Sequence, residues 1–281
     1  MRRVFTLLAA TALVLGIPAA AYASSATTGT GWIRLTHLSP NTPPVDVYLY
    51  SFGNSNAQIV LHHVAYGTVS PYEAVTAGDY SVAMRAAGAS ATSSPVLSTS
   101  VTIKADHAYT VAGMGPESGL RLQVLDDQLT TPTGKFLVRV IQASLKQQTV
   151  KVTCGGQTIV PKSTFASVSS YQAIPAGTWT MAAISGGGTA SQRISWAAGT
   201  VHTLVVLDGA NGLEMISLED AAGAGKPPVG SVTTGFGGTA AHGPGSPLPW
   251  AALIGVGSLL ALAGGLRLRG NGLRRQLRSG V

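Results

Sequence analysis

Charge is scarce in this 281-residue chain. Only 10% of its residues are Asp, Glu, Lys or Arg, against ~25% in ordinary soluble domains. Hydrophobic residues still make up 45%, so the highly charged, apolar-poor composition of a disordered protein is excluded. Cysteine is nearly absent, with Cys154 alone. One thiol excludes an intrachain disulfide scaffold and a Cys-based structural zinc site. It leaves a small buried hydrophobe or pairing with another chain. No HExxH, phosphate loop, dinucleotide fingerprint, GxSxG elbow or heptad run occurs, so the sequence indicates no metal, cofactor or covalent catalysis. The 35 Gly and 15 Pro argue against an all-helical chain.

What charge there is lies unevenly. Arg2 and Arg3 open the chain, and Arg267, Arg269, Arg274, Arg275 and Arg278 close it. The remaining 11 basic residues balance the 11 acidic ones, all between Asp46 and Asp220. The basic excess therefore flanks apolar segments instead of forming a nucleic-acid patch on a domain. Residues 1–23 read as a signal peptide: a positive start, an apolar core from Val4 to Ile17, and Ala21-Tyr22-Ala23 as the cleavage site. Leu248–Leu266 is 19 residues without a charge, and a helix of that length spans ~28 Å, close to the ~30 Å hydrocarbon core. The Arg-rich tail, 267–281, puts the C-terminus in the cytoplasm by the positive-inside rule. The expectation is a single-pass protein of the cell membrane with its ectodomain outside. Residues 221–247, rich in Gly and Pro with one charge at Lys226, read as a flexible linker.

The intervening region repeats. WIRLTHLS, VDV, YGTVSPY and AGDYSV recur as LVRVIQAS, VKV, FASVSSY and AGTWTM. Arg34 thus matches Arg139, Ser39 matches Ser144, Tyr72 matches Tyr171, and Gly78 matches Gly177. GLRLQVLDD from Gly119 matches GLEMISLED from Gly212. The offset falls from 105 to 99 to 93, so the first copy carries two extra six-residue insertions, near Ser51–Asn56 and Ala86–Ser94. Both are polar or small, as surface loops are. Within each copy short runs alternate apolar and polar, for example Ile33, Leu35 and His37 against Arg34, Thr36 and Leu38. That period marks strands with one buried face. The reading is an all-β fold of two tandem antiparallel Ig-like β-sandwiches, residues 31–127 and 135–220.

His37, Ser39 and Asp46 form the most attractive polar group. Their order tempts a Ser-His-Asp reading, but no nucleophile elbow accompanies them, and the second copy keeps the Ser while losing the His and the Asp. The expectation is structural: His37 and Asp46 bond one another and pin the first hairpin. His62 and His63 are adjacent, so on a strand they point to opposite faces and do not share a metal. Asp126-Asp127 and Glu219-Asp220 close the two copies and read as solvated strand ends. Ala77-Gly78-Asp79-Tyr80 and Ala176-Gly177-Thr178-Trp179 read as tight turns that deliver an aromatic into the core.

His37-Leu38-Ser39-Pro40, Pro44-Val45-Asp46-Val47-Tyr48, Tyr66-Gly67, Tyr72 and Ala77-Gly78-Asp79-Tyr80 resemble the domain of unknown function 4397. The resemblance covers both copies, with Gln142, Leu145 and Lys151 in place of the His, Pro and Asp in the second. It implies a bacterial cell-surface β-sandwich module, often tandem, and brings no catalytic residue. The functional expectation is a non-enzymatic surface module that binds an envelope protein, a glycan or another copy. The rivals are an envelope hydrolase and a wall-associated adhesin, though no LPxTG signal is present.

Overall fold

The computed structural model describes residues 29–223, Pro228 and the strand Val232–Thr234. The segments read as signal peptide, membrane helix and basic tail lie outside the described residues. Among the described residues no helix is long and apolar enough to cross a membrane.

The first copy is built from eight strands: β1 (Thr30–Leu38), β2 (Val45–Ser51), β3 (Ile59–Val64), β4 (Glu73–Thr76), β5 (Gly78–Ala86), β6 (Leu97–Ile103), β7 (Ala108–Met114) and β8 (Arg121–Asp127). The second has β9 (Lys135–Gln142), β10 (Thr149–Cys154), β11 (Gln157–Thr164), β12 (Ser167–Val168), β13 (Gln172–Pro175), β14 (Gly177–Ser185), β15 (Gly188–Trp196), β16 (Val201–Gly209) and β17 (Gly212–Ala221). A short β18 (Val232–Thr234) follows. The first sandwich pairs a sheet β4-β1-β7-β8 with a sheet β3-β2-β5-β6. The second repeats this, with β13 and β12 both beside β9, then β16 and β17, over β11-β10-β14-β15.

Two features correct the fold expected from sequence. The sheets are not purely antiparallel, because β1 runs parallel to β7 and β9 runs parallel to β16. The strand order is also not that of an immunoglobulin domain, whose first and second strands share a sheet. Here β1 and β2 lie in different sheets, so the chain crosses the sandwich at the Ser39–Pro44 turn and no first hairpin exists. The stretch read as linker also contributes structure: β18 adds to the edge of β17, with Leu218 opposite Val232.

Three apolar clusters show how the sheets stack. Ile33, Leu35, Val47, Leu49, Val82 and Val111 fill the first sandwich. Phe136, Val138, Val152, Met181, Leu204 and Val206 fill the second. A third cluster draws on both copies: Leu38, Met114 and Leu125 meet Ile141, Val205, Ile216 and Leu218. The β1-containing sheet of one copy therefore packs against the β9-containing sheet of the other. This makes four layers, in which β1, β7, β9 and β16 are buried on both faces. The sequence alternation predicted one buried face; the second face is covered by the other copy.

Candidate functional site

The strands at this interface carry polar residues at alternate positions, and the structure brings them together. Arg34 Nε donates to Thr110 Oγ1 at 2.8 Å, and Thr110 and Tyr72 both donate to Asp127 Oδ2 at 2.6 Å. In the second copy Arg139 Nε donates to Thr203 Oγ1 at 2.9 Å, while Thr203 and Tyr171 donate to Asp220 Oδ2 at 2.6 and 2.9 Å. The arginines then cross over. Arg34 pairs with Asp220, and Arg139 pairs with Asp127. Each guanidinium also lies over its own copy's tyrosine, 4.6 Å from Tyr72 and 4.9 Å from Tyr171. Burial pushes both tyrosine hydroxyls well above their ordinary range, so they remain protonated donors. Burial also raises the Asp127 carboxyl, against the pull of Arg139 and Arg34.

Each carboxylate thus receives an arginine, a threonine and a tyrosine, as a buried charge requires. The acidic pairs that close the copies are therefore only half as expected. Asp126 is exposed, but Asp127 and Asp220 are buried. A second clasp joins the copies at Tyr66, whose hydroxyl donates to the Ala143 carbonyl at 2.9 Å and accepts from the Asp208 amide at 2.8 Å.

His37 and Asp46 do not meet, contrary to the sequence reading. They lie in different sheets and serve different loops. His37 Nδ1 accepts from the Ser39 amide at 3.3 Å, and its Nε2 faces the Pro43 carbonyl at 3.3 Å and Thr42 Oγ1 at 3.1 Å. Burial lowers its pKa, so the ring is a neutral brace across the turn. In the second copy Gln142 does the same work. Its Oε1 accepts from the Ser144 amide, and its Nε2 donates to the Gln147 carbonyl. Ser39 donates to the Gly115 carbonyl at 2.6 Å.

Asp46 accepts from the His63 amide at 2.8 Å and the Gly88 amide at 3.0 Å, with His62 at 3.3 Å. Burial opposes its charge, but these donors hold its carboxyl below the usual range. Gly88 belongs to an insertion that the second copy lacks, which accounts for Lys151 at the matching place. At the paired motifs the chain passes from one sheet to the other through a single residue, Ala77 or Ala176. Gly78 and Gly177 open β5 and β14, the Tyr80 hydroxyl donates back to Thr76, and the Trp179 indole donates back to Pro175. Tyr80 is buried and Trp179 half-buried. Cys154 is buried and free, and burial raises its thiol. No group of three or more His, Cys, Asp or Glu residues is placed to hold a metal among the described residues.

The loops that His37 and Asp46 brace surround a pocket of about 360 Å³ at the open end of the first sandwich. Pro43, Pro44, Val45, Val96, Leu97 and Leu120 form its apolar lining. Its ionisable lining residue is Glu117, in the short 3-10 turn before β8. A second pocket of about 330 Å³, between β11 and β13, has Cys154 and Trp179 in its wall. Sequence patterning pointed to neither, because their linings come from segments distant in the chain.

A family model for the domain of unknown function 4397 (DUF4397) matches residues 31–153 and again residues 136–233. The chain belongs to this family. The first DUF4397 match covers the first sandwich and runs on through β9 and most of β10, while the second covers the second sandwich and most of β18. Comparison with curated proteins found no match.

Proposed function

We propose that this DUF4397 protein is a bacterial cell-surface module that works by binding, held to the membrane by Leu248–Leu266, with its tandem sandwiches outside. The observation that carries this reading is the division of labour among its polar groups. Arg34, Asp127, Arg139 and Asp220 neutralise one another inside the interface. His37, Ser39 and Asp46 brace loops. The pocket those loops frame has an apolar wall and one carboxylate, a lining suited to holding a ligand. A general acid–base pair needs two groups of separated pKa facing one substrate, and Glu117 has no such companion in the pocket lining.

The test uses the full chain in its own membrane. Protease added to wall-stripped cells should remove the sandwiches and leave a small C-terminal fragment. The purified chain should capture a component of the envelope fraction. Val96→Arg, at the pocket rim, should weaken capture through the pocket without lowering the melting temperature. Release of soluble products from envelope polymers by the wild-type chain, or full protection from protease, would overturn the proposal.

A further inference from the structure

The solvent face of the β3-β2-β5-β6 sheet carries a row of aromatic rings on β2. Tyr48, itself only 5% exposed, and the half-buried Tyr50 share that face, with ring centroids 6.1 Å apart and planes 12° from parallel. The ladder continues one residue beyond β2, because the Phe52 amide donates to the Asp79 carbonyl at 2.9 Å. Phe52 thus stands at the end of β2, where the Ser51–Asn54 turn begins, opposite Asp79. Phe52 is 72% exposed, the most exposed large hydrophobic among the described residues. The Arg85 guanidinium lies over the row, 4.8 Å from Tyr48 and 5.9 Å from Tyr50. Its Nε donates to the Ser93 carbonyl, while its buried Nη1 has no partner. Beside the rings the face is lined with hydroxyls. Ser81 lies opposite Tyr50 and Ser100 opposite Ser81, while Thr102 donates to Asp79 at 2.6 Å.

The half-buried Tyr50 and the exposed Phe52 are not needed to form this sheet. The second sandwich builds the matching sheet with Gly155, in the turn just past β10, where the first has Tyr50. Exposed aromatic surface that the fold does not require marks an interaction site. We infer that the Tyr50–Phe52 end of this face binds a pyranose polymer of the cell envelope, a second surface apart from the pocket, which deepens the binding role proposed above and rests on it. A sugar ring presents an apolar C–H face and a rim of hydroxyls. The first packs on the negative face of an aromatic ring, and the second finds Ser81, Ser100, Thr102 and Asp79.

A peptide added as a strand would need free main-chain groups. The row lies on β2, which is paired on both sides by β3 and β5. Only side chains are on offer there, and theirs are rings and hydroxyls.

The experiment is co-sedimentation of the full chain, in detergent, with chitin, cellulose and purified peptidoglycan sacculi, and a labelled proline-rich peptide as a fourth arm. Retention on at least one polysaccharide is expected, and soluble oligomers of the same sugar should compete. The three polymers identify which sugar is bound. Tyr50→Thr with Phe52→Ala should lower the retained fraction at least tenfold at an unchanged melting temperature. The inference is overturned by retention on none of the polysaccharides, by equal retention of the double variant, or by binding to the peptide alone. Capture of an envelope protein alongside such a failure would leave the broader binding role standing, so the two proposals fail separately.

Discussion

Arg34, on the first strand of the first sandwich, bonds Asp220, on the β17 strand of the second, at 2.5 Å, and both side chains are almost fully buried. The reciprocal pair, Arg139 with Asp127, repeats the contact with the copies exchanged. This is the pattern of an isologous interface, in which a contacts b and b contacts a, formed here within one chain. Each copy holds the acid that its partner's arginine needs.

Breaking this exchange should be costly. Arg34→Met leaves the buried Asp220 carboxyl with only hydroxyl donors, and loss of one partner of a buried pair costs ~3–5 kcal/mol. Adding Asp220→Asn removes the orphaned charge and should recover part of the loss, with a coupling of ~0.5–3 kcal/mol. Urea unfolding midpoints of the two single variants and the double complete the cycle. Additive losses would show that the pair does not interact.

The sandwiches should unfold together. An isolated copy would expose Leu38, Met114 and Leu125, or Ile141, Val205 and Leu218, and would strand an arginine and an aspartate. Calorimetry of the full chain should show one transition for the two copies. Cleavage at an engineered protease site within 128–134 should leave the halves associated on a sizing column. Two separate transitions, or halves that part on cleavage, would contradict the shared core.

Acid should destabilise the second sandwich through His202. Its ring stacks on Trp196 at 4.0 Å, and burial lowers its pKa to about 4, against the pull of Asp220. The folded state therefore binds a proton more weakly than the unfolded chain. The neutral ring's contribution is complete above about pH 6.5. It is lost as pH falls towards 4, for a total of about 3 kcal/mol. The first copy has Tyr109 at the matching place. His202→Tyr should remove this part of the pH dependence, read as melting temperature from pH 7 to pH 4 in variant and wild type.

His37→Gln should be nearly neutral, because Gln142 already spans the equivalent turn with the same acceptor and donor arrangement. His37→Ala should cost ~1–3 kcal/mol, the penalty for leaving the Ser39 amide and Pro43 carbonyl short of a partner. Thermal melts of both variants check this. Equal losses would show that the ring is valued for its bulk.

Gly155→Ala should destabilise the second sandwich. Gly155 has φ +57°, and a Cβ there would sit 2.6 Å from the Trp179 ring. The left-handed conformation alone costs an L-residue ~1–2 kcal/mol, and the clash adds to it. Gly156→Ala, also at positive φ but with open space around its Cβ position, should pay only the first part. Their difference in unfolding free energy isolates the contact with Trp179.

Much of the architecture was legible in the residues. Alternation of period two marked the strands, the falling offset marked two copies and two insertions, and the motifs shared by the copies led to the family. The matched positions Arg34 and Arg139, Tyr72 and Tyr171, and Asp127 and Asp220 were visible as repeats, but their purpose was not. The pocket was not legible either, because the turn before β2, the β5–β6 loop and the 3-10 turn before β8 come together only when the sheets close.

The sequence by itself determined that the chain is β-structured, duplicated and made of paired short strands, because these follow from local alternation and turn chemistry. Tertiary structure alone decided what covers each face of those strands. Arg34 and Thr36 on β1, or Arg139 on β9, read as marks of a solvent face, and on a lone sandwich they would be. Arg34 is buried because another sandwich lies against it and supplies a carboxylate 186 residues away in the chain. Local periodicity specifies which residues share a face, whereas the free energy of burying that face depends on a partner surface that no local pattern names.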